Sequence, residues 1–331
     1  MASKIMLKCL THSPLRGIND PGADVVAEVD AVTARARAEV EAFDPELIVI
    51  FAPDHYNGLF YDLMPPFVVA TAAESVADYK TLPGALSVPS DLALGLVEHL
   101  HESDIDVALS HRLQVDHGCT QTFEEMTGSL TRYPVIPIII NCVAPPFAAY
   151  RRIRKLGDAV GRYLAGLDKR VLVLGTGGLS HEPPVPLVAG APDDVREFLI
   201  AGRNPTEEAR AARQARTIAA GQIYGTPQST LTPLNPEWDE WFIDLLVSGR
   251  VAEADKFDIA EISREAGRST HEVRTWVAAF AAISSNGAYT ARKDYYRPIN
   301  EWIAGYGAVT AEHVGQPEAL SGQQQSDGAG R

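Results

Sequence analysis

The chain is short of cysteine, of positive charge and of long apolar runs, and each shortage removes a class of protein. Cys9, Cys119 and Cys142 are the only cysteines in 331 residues. They form no C-x-x-C metal motif and no dense disulfide framework, and an odd number leaves at least one thiol unpaired. A reducing compartment is expected. Lys and Arg number 29 against 43 Asp and Glu, a net charge of −14, and no basic run occurs. The counterion-releasing contacts that hold phosphate backbones or anionic lipid are therefore missing, and neither nucleic acid nor a membrane is an expected partner. No apolar stretch approaches the 18 or so residues of a membrane span. The apolar run after Met1-Ala-Ser-Lys is too short for a signal peptide, so a cytoplasmic protein is expected.

Several motifs are incomplete. Gly175-Thr-Gly-Gly-Leu-Ser lacks the third glycine of a dinucleotide fingerprint, and no lysine follows it as a phosphate-binding loop requires. Gly178-Leu-Ser-His-Glu182 puts glutamate where a nucleophile elbow needs its final glycine. His271-Glu-Val-Arg-Thr lacks the second histidine of a zincin helix.

What is present is a 46% hydrophobic chain in which short β-branched runs alternate with amphipathic stretches, the pattern of an α/β fold. Ile5–Leu10, Leu47–Ala52, Ile105–Leu109, Val135–Ile140 and Val171–Leu174 read as buried strands. Asp24–Phe43, Ser90–His101 and Phe147–Leu164 read as helices, followed in the second half by Thr206–Ile223, Glu237–Ser248, Ser269–Ser284 and Ile299–Tyr306. The expectation is one central, mostly parallel mixed sheet flanked by helices, with a helix-rich C-terminal half. With no repeat and no long linker, residues 1–312 are expected to form a single catalytic domain, and the polar residues 313–331 a disordered tail.

Nine histidines are present, and four come shortly after predicted strands: His12, His55, His117 and His181. In an open α/β sheet the ligand crevice lies beyond the carboxyl ends of the strands, so four imidazoles can meet there. A histidine at one such end is ordinarily a loop donor or a packed residue; four in one topological place weaken that reading. His99, His101, His111 and His313 lack companion motifs and read as structural. Two imidazoles and a carboxylate with open positions make the facial triad of a mononuclear Fe(II) oxygenase. Glu272 is a candidate carboxylate, but on the residues alone Ser269-x-x-Glu272 reads first as a helix capping box.

Taken together, the segments Phe51-Ala-Pro-Asp-His-Tyr-Asn-Gly, Val115-Asp-His-Gly, Leu174-Gly-Thr-Gly-Gly-Leu-Ser-His-Glu-Pro-Pro, Ser269-Thr-His-Glu-Val-Arg-Thr-Trp and Tyr295-Tyr-Arg-Pro-Ile-Asn-Glu-Trp resemble the type II extradiol catechol dioxygenases. The resemblance runs from about Lys4 to Gly307. It implies Fe(II) bound by His12, His55 and Glu272, with His181 as proton acceptor and His117 as proton donor. It further implies opening of 3-(2,3-dihydroxyphenyl)propionate or 2,3-dihydroxycinnamate with O2, by a homo-oligomer. It reverses the preference at Glu272 from cap to ligand. Asp54 and Asp116, each directly before a histidine, are candidates for fixing ring tautomers, and Arg297 is a candidate for the substrate carboxylate. A zinc hydrolase using the same two-His, one-Glu set and a binding protein that keeps the fold without metal are the rival readings.

Overall fold

The computed structural model describes residues 3–313, and its N-terminal strand lies inside the main sheet. The first half contains β1 (Lys4–Leu10), α1 (Ala23–Phe43), β2 (Leu47–Ala52), β3 (Phe67–Ala70), β4 (Ala73–Ser75), β5 (Gly84–Ala85), α2 (Ser90–Glu102), β6 (Ala108–Ser110), β7 (Leu113–Val115), α3 (His117–Thr127), β8 (Val135–Ile140) and α4 (Tyr150–Ala165). Then follow β9 (Arg170–Thr176), α5 (Asp193–Ala201), α6 (Glu207–Ile223), α7 (Pro236–Val247), α8 (Ile259–Ala266), α9 (Arg274–Ser284), β10 (Tyr289–Ile299) and β11 (Ala304–His313). The main sheet has the order β10-β11-β1-β9-β2-β8-β3-β6, and a small sheet has the order β5-β4-β7. Strands β1, β9, β2 and β8 are mutually parallel, while β11 runs antiparallel to β1 and β3 antiparallel to β8.

Both faces of this sheet are covered, which explains why β2 and β8 are apolar and buried at every position. Successive side chains serve opposite layers. Ile5, Leu7, Cys9, Val49 and Phe51 belong to one core, Met6, Leu10, Ile48 and Ile50 to the other. Helices α1 and α3 pack together on one side, with α3 against β2 and β9; α2, α4 and α9 lie on the other. Helix α9 is buried from Arg274 to Ile283. A helix apolar almost all round has no solvent face, and this one lies between α4 and the strands β9, β1 and β2.

Strands β2 and β8 match expectation to the residue. The expected strand Ile105–Leu109 is displaced to the short edge strand β6, and the expected helix from Phe147 begins at Tyr150. Ser269–Ser284 is split, with a 3-10 turn over Arg268–Val273 leading into α9. The expected helix Ile299–Tyr306 is overturned. Ile299 ends β10, Asn300–Trp302 make one 3-10 turn, Ile303 turns the chain with a left-handed φ of 49°, and Ala304 starts β11. The apolar spacing of that turn imitates a helix, but pairing of β11 with β1 decides the conformation. Strand β11 runs through His313, the first residue of the expected tail; residues 314–331 lie outside the described residues. Among the described residues no helix is long and apolar enough to cross a membrane.

Candidate active site

The parallel strands end on one edge of the sheet, and the loops beyond them carry the site. His12 comes two residues after β1, His55 three after β2, and His181 five after β9. His117 arrives by another route: it opens α3 just after β7 of the small sheet, with Asp116 as N-cap accepting from the Gly118 amide. Glu272 comes from the buried turn in front of α9. All five line one cavity of about 350 Å³.

Glu272 is the hub, and it caps no helix. Its Oε1 lies 3.1 Å from His55 Nε2 and 3.2 Å from His181 Nε2; its Oε2 lies 3.5 Å from His12 Nε2 and accepts from the Gly178 amide at 3.1 Å. Two ligand atoms held at right angles, each about 2.1 Å from a metal, are about 3.0 Å apart. The 3.1, 3.2 and 3.5 Å separations all lie near that value, so Glu272 could share an ion with the imidazoles around it; His12, His55 and Glu272 would make a donor set that suits a divalent iron with open positions. The far ring nitrogens are occupied. His12 Nδ1 is 2.9 Å from Thr176 Oγ1, and His55 Nδ1 is 3.3 Å from Asp116 Oδ2, which also accepts the His55 amide. Such partners can take the Nδ1 hydrogen, which would leave Nε2 for a metal when one is bound. The ring nitrogens of His12, His55 and His117 also lie within 4.8 Å of one another. Asp78, Asp116 and His117 are equally close, but these two carboxylates are already engaged by backbone amides and imidazoles.

Burial pushes the His12 imidazole down to about 3, keeping it neutral. At His55 burial acts in the same direction but is outweighed by Asp116 and Glu272, which hold its pKa well above the ordinary range. Burial would raise Glu272, yet the surrounding imidazoles, His181 and His12 foremost, hold it well below. The carboxylate is thus ionised in the form a metal requires.

His117 is held by a residue that no sequence motif marks. Asp78 accepts from the His117 amide at 2.8 Å and meets its Nδ1 at 2.5 Å. The turn around it is strained, with Ala77, Tyr79 and Lys80 at φ of 55°, 45° and 67°, and the Tyr79 ring packs edge-on against His117 at 5.0 Å. Asp116 does support an imidazole, but that of His55 rather than its neighbour His117. Asp54 supports none: it accepts the amides of Asn57, Gly58 and Leu59, and burial, with Asp116 nearby, lifts it to about 7. Arg297 is on β10, paired with Glu28 and Asp24 and absent from the cavity wall, so it is withdrawn as a carboxylate ligand. His99, His101 and His313 face main-chain carbonyls and His111 faces Thr71, as structural histidines do. His271 lies between Tyr150 and Ser263.

With this arrangement in view, comparison with known proteins is decisive. Residues 6–307 match the family described as the catalytic LigB subunit of aromatic ring-opening dioxygenase. The chain belongs to this family. A protein of Azotobacter vinelandii named 2,3-dihydroxyphenylpropionate/2,3-dihydroxicinnamic acid 1,2-dioxygenase is 79% identical over 308 residues, covering 93% of this chain and 99% of that protein. Similarly named proteins of Dechloromonas aromatica and Cupriavidus pinatubonensis are 74% and 58% identical, each covering 93% of this chain and 98% of the relative. This LigB-family chain is an extradiol dioxygenase, an enzyme that opens aromatic rings, and its histidine cluster is a candidate centre for the metal on which the family depends.

Proposed function

We propose that this dioxygenase cleaves 3-(2,3-dihydroxyphenyl)propionate, and its cinnamate analogue, beside the diol with O2, giving 2-hydroxy-6-oxonona-2,4-dienedioate or the corresponding trienedioate, with Fe(II) held by His12, His55 and Glu272. The observation that carries the reading is the convergence of the Nε2 atoms of His12 and His55 on the buried Glu272 carboxylate, each ring fixed from behind. The names of the relatives support the substrate. When bound, Fe(II) supplies a redox-active centre through which a closed-shell catechol and triplet O2 can exchange an electron, which redox-inert zinc does not provide.

The protein's own groups manage protons. His181 Nδ1 faces the Leu179 carbonyl at 3.0 Å, so it carries a hydrogen and leaves Nε2, on the Glu272 side of the ring, as the nitrogen to accept the second catechol proton. His117 Nδ1 donates to Asp78, which fixes the ring and leaves Nε2 as the nitrogen that would hold and deliver a proton to the substrate. Pro183, Val185, Phe198, Leu199 and Trp302 form apolar walls that exclude water from the ring. The three cysteines are free and buried, which supports a reducing cytoplasm as the working compartment. One unit comprising residues 1–312, associating with identical chains, is the working form we propose.

The test is anaerobic loading with Fe(II) followed by addition of the propionate and O2. One O2 should be consumed per catechol, with a coloured ring-opened product, and zinc-loaded protein should consume none. Iron-loaded protein that takes up no O2 with any of a panel of catechols would overturn the reading.

A further inference from the structure

Arg16, Arg132, Arg154, Arg170, Arg203 and Arg292 each meet a carboxylate. Other arginines meet none, and three of these lie together on helix α6 where it lines the active-site cavity. Arg210, Arg213 and Arg216, spaced three residues apart, all face that cavity, and none meets a carboxylate among the described residues. Arg210 donates to the Val76 carbonyl at 2.8 Å. Arg213 donates to the Tyr56 carbonyl at 3.1 Å and to Asn57 Oδ1 at 2.6 Å, its guanidinium 5.1 Å from the centre of the Phe198 ring. Arg216 makes no hydrogen bond or ion pair with any described residue. Of the acids on the same wall, Asp78 serves His117 and Glu272 serves the imidazoles, leaving Asp194 on α5. Three cations facing one unengaged acid give this side of the cavity a positive field inside a chain of charge −14.

We propose that Arg213 and Arg216 form an anion subsite that takes the side-chain carboxylate of the catechol, so that α6 selects acid-bearing over neutral substrates. The proposal rests on the ring-cleavage reading of this cavity and deepens it by naming what recognises the substituent. Arg213 is fixed by two neutral acceptors beside His55, so its position is set while its charge stays uncompensated. Arg216, one turn on, has its whole donor fork free. Planar guanidinium donors match a carboxylate in geometry as well as charge.

Arg216 gives the cleaner test. Arg213 is joined through Asn57 to Asp116 behind His55, by contacts of 2.6 and 2.8 Å, so its replacement also disturbs the metal side. Arg216→Gln and Arg216→Lys are compared with wild type, all loaded with Fe(II), on 3-(2,3-dihydroxyphenyl)propionate and on neutral 3-propylcatechol. Loss of a charge-assisted hydrogen bond predicts that Arg216→Gln lowers kcat/KM for the acid by about 10- to 100-fold more than for propylcatechol, chiefly through KM, with partial recovery in Arg216→Lys. Equal losses on both substrates, or no loss on either, would overturn the subsite. Calorimetric binding of 3-phenylpropionate, which lacks the diol, to metal-free protein separates the two layers of the argument. Weakened binding in Arg216→Gln supports the subsite even if no catechol is opened; unchanged binding refutes it.

Discussion

Gly118→Ala places one methyl group where the site has no room for it. A Cβ there would lie 2.7 Å from His55 Cε1, 3.0 Å from His55 Nδ1 and 3.0 Å from Asp116 Oδ1. Non-bonded carbons settle at about 3.5–4.0 Å, so the ring has to retreat by about 0.8 Å, or else α3 has to move. Gly118 lies in the first turn of α3 with an ordinary helical backbone, where alanine is favoured over glycine by roughly 0.5–1 kcal/mol. The clash is therefore local and the helix itself should form. A ligand ring displaced from the Asp116 carboxylate behind it is expected to bind metal about 10- to 100-fold more weakly, and a shift approaching 1 Å costs on the order of 100-fold in rate. The assay is iron content after loading and gel filtration, together with kcat/KM and thermal unfolding of the metal-free protein. The expected result is a melting temperature near wild type with little retained iron. A variant that keeps stoichiometric iron and wild-type kcat/KM would refute His55 as a closely packed ligand.

Asp78→Asn should leave iron content intact and lower kcat by about 10²- to 10⁴-fold, the usual contribution of a general acid or base, because the amide no longer holds His117 Nδ1–H with a negative charge; steady-state kinetics with wild-type turnover would remove this pair from proton delivery. Asp239, with no solvent exposure, accepts from the Ser180 amide and hydroxyl and from Tyr296, yet burial pushes it up to about 6 from 3.8. The native state binds this proton more tightly than the unfolded chain. The associated stability is therefore complete below about pH 4 and lost as pH rises through about 6, about 3 kcal/mol in all. In urea titrations of metal-free protein, the destabilisation caused by Asp239→Asn should shrink by roughly that amount between pH 4 and pH 7.5; a penalty independent of pH would contradict the assignment.

The parts of this fold legible in the sequence are those whose side chains have one possible environment. Strands β2 and β8 are continuous apolar runs and read correctly to the residue, because a strand covered on both faces tolerates nothing else. His12, His55 and His181 were legible because strand ends in an open sheet point to one crevice. Asp78 was not: it sits in Ala-Asp-Tyr-Lys with no motif, and only the strained turn aims it at His117. Asp116 is marked by its place directly before a histidine, but its partner is not legible there: neighbouring residues diverge, and its carboxylate turns to His55, 61 positions away. Helix α6 read correctly as a helix, while its arginines look like any solvated face until the cavity they line is known.

The order β11-β1-β9 explains why chain ends separated by some 260 residues meet at a single site. Strand β1 lies between the C-terminal strand β11 and the parallel strand β9, and α9 packs across both β1 and β9. His12 leaves the end of β1, its ring steadied by Thr176 at the end of β9, and Glu272 enters just before α9. Separating the first half of the chain from the second would therefore part His12 from Glu272, the proposed ligands, and also strip β1 of both neighbours. Metal held, as proposed, by His12 and Glu272 would tie together segments that the sheet has already made adjacent, so binding should stabilise the folded state by its full differential affinity over the unfolded chain. Convergence of the ligands is then a consequence of strand order, with little loop entropy left to oppose it.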